Sequence, residues 1–153
     1  MNEFVGGMMG SIDIPKSGAP DVEFENLLTR CGRMIGCGRT REAYAVPSHA
    51  DKIMKVSSAS RYVNNWTEIV VYQNVTDNSF LGRISAWSES GRFLIMERLD
   101  DVSRDEVTGL HVPGWWLDRD GDIKNIGRSL TGQLKLRDYG SLSISPDVLA
   151  PFV

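Results

Sequence analysis

Short apolar runs separated by turns dominate this chain, and their periodicity predicts strands more often than helices. Phe93-Leu94-Ile95-Met96 runs into the charged pair Glu97-Arg98 and then Leu99, the pattern of a buried strand entering a hinge. Ile53-Met54-Lys55-Val56 is a short strand with one lysine among apolar residues. Ile35-Gly36-Cys37-Gly38, continuing to Ala43-Tyr44-Ala45-Val46, reads as strand, glycine turn and strand. Strands are expected near Arg33–Ile35, Glu42–Val46 and Lys52–Val56. Arg83–Trp87 and Arg92–Glu97 predict a hairpin around Ser88-Glu89-Ser90-Gly91. A second hairpin is expected where Ile126–Leu130 rises, Thr131-Gly132 turns, and Gln133–Arg137 returns with Leu134 and Leu136 alternating.

Helical spacing is rarer. Ser60–Asn74 has helix length, and Trp66, Ile69, Val70 and Gln73 share one face. Asp21–Arg30 predicts a short helix capped by Asp21, with Glu23 and Glu25 early and Gly32 ending it. Ser103–Leu110 predicts another, stopped by Pro113-Gly114, and Pro146 and Pro151 discourage any long C-terminal helix. The expected fold class is α+β: a five-stranded antiparallel sheet with one helix, plus a stub of a second lobe carrying a small hairpin. Residues 1–20 are rich in Gly, with Ser, Pro and Met. They read as a flexible arm whose Phe4, Val5, Met8 and Met9 can dock on a surface. Residues 21–153 read as a single domain.

Composition narrows the class. With 153 residues the chain can bury a core of its own, and 41% hydrophobic with 24% charged residues place it among ordinary soluble domains. A net charge of −3 gives no electrostatic case for nucleic acid or an anionic membrane. No stretch reaches the ~18 apolar residues of a membrane span, and the first residues lack the basic start and apolar core of a signal peptide. Cys31 and Cys37 flank a predicted strand and read as reduced cytosolic thiols. His49 and His111 show no ligand spacing.

The candidate chemistry lies in Asp118-Arg119-Asp120-Gly121-Asp122-Ile123-Lys124-Asn125 and in Asp138-Tyr139-Gly140, which begins thirteen residues after Asn125. Phosphoryl transfer needs a carboxylate to orient the acceptor hydroxyl, and oxygen ligands for the metal that bridges the phosphates. Asp120, Asn125 and Asp138 fall in that order, and the second hairpin brings Asn125 and Asp138 together at one end. Upstream, Lys55 sits on a strand and Glu68 on the following helix, where an ion pair beneath the glycine turn is expected. Blander readings stand beside these. Lys55 snorkels, Glu68 is a solvated charge, Gly36-x-Gly38 is an ordinary turn, and Asp138 is a turn residue. Asp118, Asp120 and Asp122 also match a calcium-loop pattern, but no bidentate Glu follows at the twelfth position.

The order of glycine loop, strand Lys, helix Glu, hinge, catalytic loop and D-x-G turn resembles the protein-kinase-like fold over about Met34 to Ser143. Arg33-Met34-Ile35-Gly36-Cys37-Gly38 with Glu42-Ala43-Tyr44, and Ile53-Met54-Lys55-Val56-Ser57, are most similar to the early protein kinase of T-odd podophages. The resemblance implies a kinase N-lobe-like antiparallel sheet with a much reduced C-lobe. Gly36 and Gly38 would approach the nucleotide phosphates, and Lys55, held by Glu68, would pair with them. Met96 would be the gatekeeper, and Glu97 to Leu99 would lie along adenine. Asp120 would be the base, and Asn125 and Asp138 the metal ligands, with ATP and magnesium as cofactors.

The chain departs from the pattern. Arg39-Thr40-Arg41 replaces the third glycine, and Asp118 stands where the family has His. About twenty residues separate Glu97 from Asp118 where a kinase has two helices, and thirteen follow Gly140, too few for an activation segment or peptide platform. Two functions are therefore expected in parallel. One is a phage-encoded minimal kinase-like protein that binds ATP and magnesium and phosphorylates a host protein, as a serine/threonine-type phosphotransferase. The other is an inactive pseudokinase module that inhibits a host protein, such as a defence protein, by contact. The implied place is the host bacterial cytoplasm. Trp115 and Trp116 read as packing anchors. With Leu117, Leu142, Ile144, Val148, Leu149 and Phe152 they either cap the sheet or form a homodimer or host interface.

Overall fold

The computed structural model describes residues 12–38, 40–58, 62–114, 116–117, 121–139 and 149–152. Its centre is a five-stranded antiparallel sheet. The strands are β1 (Met34–Cys37), β2 (Arg41–Val46), β3 (His49–Ser57), β4 (Ile84–Trp87) and β5 (Phe93–Glu97), in the spatial order β1-β2-β3-β5-β4. The apolar run 93–96 becomes the most protected strand, with every residue of β5 buried. Two neighbours cover both its edges, and both of its faces carry a layer.

Alternation along the strands divides the core in two. Tyr44, Val46, Met54, Val56, Phe93 and Ile95 point to one face, against Phe24 and Leu27 of helix α1 (Asp21–Leu28). Ile53, Ile84, Leu94 and Met96 point to the other, against Ile69 of helix α2 (Val63–Asn74). The sheet thus carries two helices, one per face, where one was expected.

Two local readings need correction. Asp21 is not the cap of α1. Pro20 occupies that position, and the Asp21 carboxylate instead accepts from the Ser90 amide (3.1 Å) and hydroxyl (2.5 Å), pinning the β4–β5 turn. The helix ends at Leu28 with Thr29 as its C-cap, ahead of Gly32. On α2 the buried face is Asn65, Glu68 and Ile69, whereas Trp66 and Val70 are exposed. An apolar-face reading fails here because the helix turns polar groups inward.

Residues 12–20 run along the sheet. The Gly18 amide donates to the Trp87 carbonyl (2.8 Å), the Glu89 amide to Ala19 (2.8 Å), and Ile12 and Ile14 pack on the α1 side of the core.

After the sheet, β6 (Asp100–Asp101) leads to helix α3 (Arg104–Val107), which is closed by a capping box between Ser103 and Glu106. β7 (His111–Pro113) pairs with β10 (Leu149–Pro151). A 3₁₀ turn (Ile123–Asn125) precedes the hairpin of β8 (Ile126–Arg128) and β9 (Leu134–Leu136). Gly132 makes the turn at φ 91°, a conformation that suits glycine. β6, β8 and β9 form a three-stranded sheet. Trp116 and Phe152 pack together with ring centroids 6.2 Å apart, both buried in the chain's own core. That burial removes these two residues from any homodimer interface. Trp115, Leu142, Ile144 and Val148 lie outside the described residues.

Candidate functional site

The register of β2 against β3 builds the site. Ala43 lies opposite Lys55, so Arg41, two residues earlier on β2, shares the face of Lys55. Helix α2 crosses that face and lowers Glu68 onto it. The β8–β9 hairpin delivers the rest. The Arg137 amide donates to the Asn125 carbonyl (2.8 Å), so the hairpin does bring Asn125 beside the strand end that leads into Asp138.

Lys55 and Glu68 form the expected ion pair. Lys55 Nζ lies 3.0 Å from Glu68 Oε1 and 3.3 Å from Oε2, and it donates to the Arg137 carbonyl at 2.8 Å. An ammonium has three hydrogens, and three acceptors within the chain surround this one. Arg41 enters from the other side. Its Nη1 donates to Glu68 Oε1 (2.8 Å) and Asn65 Oδ1 (3.1 Å), and its Nη2 to Glu68 Oε2 (3.3 Å) and Asp138 Oδ1 (3.1 Å). The Tyr139 amide completes the cluster by donating to Glu68 Oε2 at 3.0 Å. Asn65 is fixed in turn by its bonds to the carbonyls of Gly91 and Arg92.

The cluster is neutral and buried except at Asp138, whose side chain is 39% exposed. Glu68 is wholly buried, and the Lys55 and Arg41 side chains are about nine-tenths so. Two cations meet two carboxylates, and a charge lost from water in this way is tolerated only when paired and hydrogen-bonded. Burial pushes the Glu68 carboxyl up, but Arg41 and Lys55 outweigh it and hold it at about 2. Burial pushes the Lys55 ammonium below the usual lysine range, and the adjacent Arg41 pushes it the same way. Burial tends to discharge Arg41, yet Glu68 and Asp138 raise it further above its already high value. Burial lifts the Asp138 carboxyl above its ordinary value, against the pull of Lys55.

The D-x-G turn is also anchored from below. Trp116 Nε1 donates to the Asp138 carbonyl (2.7 Å), and the buried Tyr139 hydroxyl donates to the Gly82 carbonyl (2.8 Å). Trp116 is therefore a packing anchor directly beneath Asp138.

The remaining sequence candidates separate into two groups. Gly36 lies within β1 and Gly38 follows it, and the Gly38 amide donates to the Arg41 carbonyl (2.8 Å). Neither has a positive φ. A Cβ on Gly38 would meet nothing within 4 Å, and one on Gly36 would only touch Ala43 at 4.0 Å. Among the described residues nothing asks for glycine at these two places. The hinge candidates are used internally. Met96 is fully buried and Leu99 nearly so, and a Cβ on Gly82 would lie 2.9 Å from Met96 Cε and 3.3 Å from Leu99 Cδ1. Glu97 accepts from Lys135 Nζ (2.8 Å) and from the Arg83 amide (3.1 Å), and its own amide donates to the Arg83 carbonyl (2.7 Å). The Leu99 carbonyl accepts from Arg137 Nη1 at 2.7 Å.

Asp120, expected as the base, lies outside the described residues, as do Asp118, Arg119 and Gly140. Asp122 caps the 3₁₀ turn by accepting from the Lys124 amide (3.3 Å). Of the two expected metal ligands, Asp138 is bridged to Glu68 by Arg41, and Asn125 accepts from the Arg137 amide through its carbonyl. Among the described residues no group of three or more His, Cys, Asp or Glu is arranged to hold a metal ion.

Arg41 and Asn65 are the residues that sequence reasoning missed. Strand parity places Arg41 on the same side only once the register sets Ala43 opposite Lys55. No protein-family model matches the chain, and no curated protein matches it.

Proposed function

We propose that this chain is a kinase-like binding module without phosphotransfer, which acts on a host protein by direct contact. The kinase-like part of the reading draws on the order of elements. A glycine turn, a strand Lys paired with a helix Glu, a hinge and a D-x-G turn occur in sequence around one cluster. The pseudokinase part draws on one observation above all: Arg41 fills the space between Glu68 and Asp138. Beside it the Lys55 ammonium meets three acceptors within the chain, both Glu68 oxygens and the Arg137 carbonyl. A phosphate would have to compete with these acceptors, and a neutral cluster has no surplus charge to attract it. The buried Met96 and Leu99, and the Leu99 carbonyl taken by Arg137, support the same reading at the adenine position. The host target and a bacterial cytoplasmic setting come from the resemblance to phage early kinases. Among the described residues no helix is long and apolar enough to cross a membrane.

A second reading keeps ATP, magnesium and phosphotransfer to a host protein, with Asp120 as base. Gly36 and Gly38 favour it, since glycines with no internal role suit a close approach by phosphate. It requires the Arg41 side chain to leave the cluster. Thermal melts with ATP and magnesium decide between the two. A ligand at a hundredfold excess over Kd adds about 2.7 kcal/mol. The binding-module reading expects no change in Tm and no phosphotransfer. A rise in Tm with ATP that is lost in Lys55→Met would overturn it.

A further inference from the structure

The resemblance implies a divalent cation at Asp138 and Asn125, and the donor set does not fit one. A hard dication needs carboxylate oxygens with lone pairs to spare and a local excess of negative charge. Asp138 Oδ1 is taken by Arg41, and both Glu68 oxygens accept from Arg41 and Lys55, with Oε2 accepting the Tyr139 amide as well. The Arg41 guanidinium touches both carboxylates at once through one planar fork, which is how a bridging cation would use them. It is also covalently tethered, so it competes at an effective concentration that no free ion matches.

We infer that Arg41 sets the cation specificity of this cluster: its guanidinium takes the place of a divalent ion and excludes one. The cluster is then a metal-free node joining β2, β3, α2 and the segment after β9. Removing Arg41 leaves two carboxylates against one lysine, an excess of one negative charge, and opens the site to a dication. The inference rests on side-chain geometry and not on the kinase-like reading, so a metal ion alone tests it.

The test uses the full chain with MnCl2 or with EDTA, read as Tm and as Mn²⁺ binding by electron paramagnetic resonance. The wild type is expected to melt at the same temperature in both and to bind no Mn²⁺ at the cluster. Arg41→Met, which keeps the apolar stem, is expected to bind Mn²⁺ and to gain roughly 3 °C at a tenfold excess of Mn²⁺ over Kd. Arg41→Met with Asp138→Asn loses that gain, and Arg41→Lys, which keeps the charge, behaves as wild type. A folded Arg41→Met with no Mn²⁺ response overturns the inference. So does a Mn²⁺-dependent rise in wild-type Tm that Asp138→Asn removes, and this second arm holds whether or not Arg41→Met folds.

Discussion

The two faces of the five-stranded sheet solve the same burial problem by opposite means. On the α1 face, Phe24 stacks on Phe93 with centroids 5.9 Å apart, and Leu27, Val46, Met54, Val56 and Ile95 fill the layer. Burying each such side chain stabilises by roughly 2 kcal/mol, and none asks for a specific partner. On the α2 face the same strands contribute Arg41 and Lys55, and α2 contributes Glu68 and Asn65. There every group depends on the others, because an unpaired buried charge costs more than any one contact returns. The comparison teaches where to look for specialised chemistry. An apolar layer explains itself through burial, whereas a buried ionic cluster trades packing for geometry.

The largest way to break this symmetry is to remove the hub. Glu68→Ala is expected to cost about 4 kcal/mol, since it leaves the buried Lys55 without its carboxylate and takes from Arg41 one of its two. Met54→Ala on the opposite face is expected to cost about 3 kcal/mol through the cavity it leaves. Urea denaturation of both variants checks the ranking. A Glu68→Ala cost below 1 kcal/mol would mean that the cluster is loosely held and wet.

The two faces also differ in their response to acid. Glu68 is held at about 2 against an ordinary 4.5, a depressed carboxyl. Its contribution is full above pH 4.5 and is lost as pH falls toward 2, on the order of 3 kcal/mol in all. Asp138, raised by burial, works in the opposite direction: its contribution is present at low pH and fades as pH rises through its raised value. Stability measured between pH 6 and pH 2 should therefore fall less steeply for Glu68→Gln than for wild type. Met54→Ala should run parallel to wild type throughout. Parallel curves for all three would remove Glu68 from the account of acid stability.

Within the cluster the members are unequal. Lys55→Met is expected to cost about 2 kcal/mol, less than Glu68→Ala. Glu68 keeps Arg41 and the Tyr139 amide when the lysine goes, whereas without Glu68 Arg41 is left with Asp138 and Asn65, and Lys55 with the Arg137 carbonyl. Equal costs for the two variants would argue that Lys55 and Arg41 do not share the load.

What the sequence made legible follows from how local each signal is. The apolar run of β5, the β4–β5 turn and the Gly132 hairpin rest on neighbouring residues, and all three lie close to where periodicity puts them. The ends of α2 were nearly right, but its inward face was not. Trp66 and Val70 carry the apolar signal and stay exposed, while Asn65 and Glu68 turn inward because Arg41, Lys55 and the β4–β5 turn supply their partners. No periodicity in α2 encodes those partners, which lie on other strands. Lys55 and Glu68 were paired correctly from motif order. Arg41 was missed because its place depends on the register of β2 against β3, a tertiary fact. The anchoring of residues 12–20 was missed for a related reason: backbone bonds such as Gly18 to Trp87 leave no trace in composition.

The smallest expected effect sharpens the comparison furthest, because it separates stability from ligand approach. A Cβ on Gly38 meets nothing within 4 Å, and the residue has no positive φ. Gly38→Ala is therefore expected to change stability by less than about 0.5 kcal/mol, the range of surface substitutions. Gly36→Ala should be nearly as mild, since its new methyl reaches only ordinary contact with Ala43. If the cluster is the closed node proposed for it, both variants are silent in every assay, host-protein contact away from the turn included. If instead a nucleotide enters once Arg41 has moved, the added methyls obstruct the phosphates. ATP would then stabilise the wild type and not Gly38→Ala, although the two unfold alike in its absence. Urea curves with and without ATP and magnesium thus read the two glycines as either idle or ligand-facing, and the second outcome would return this chain to the nucleotide-binding reading.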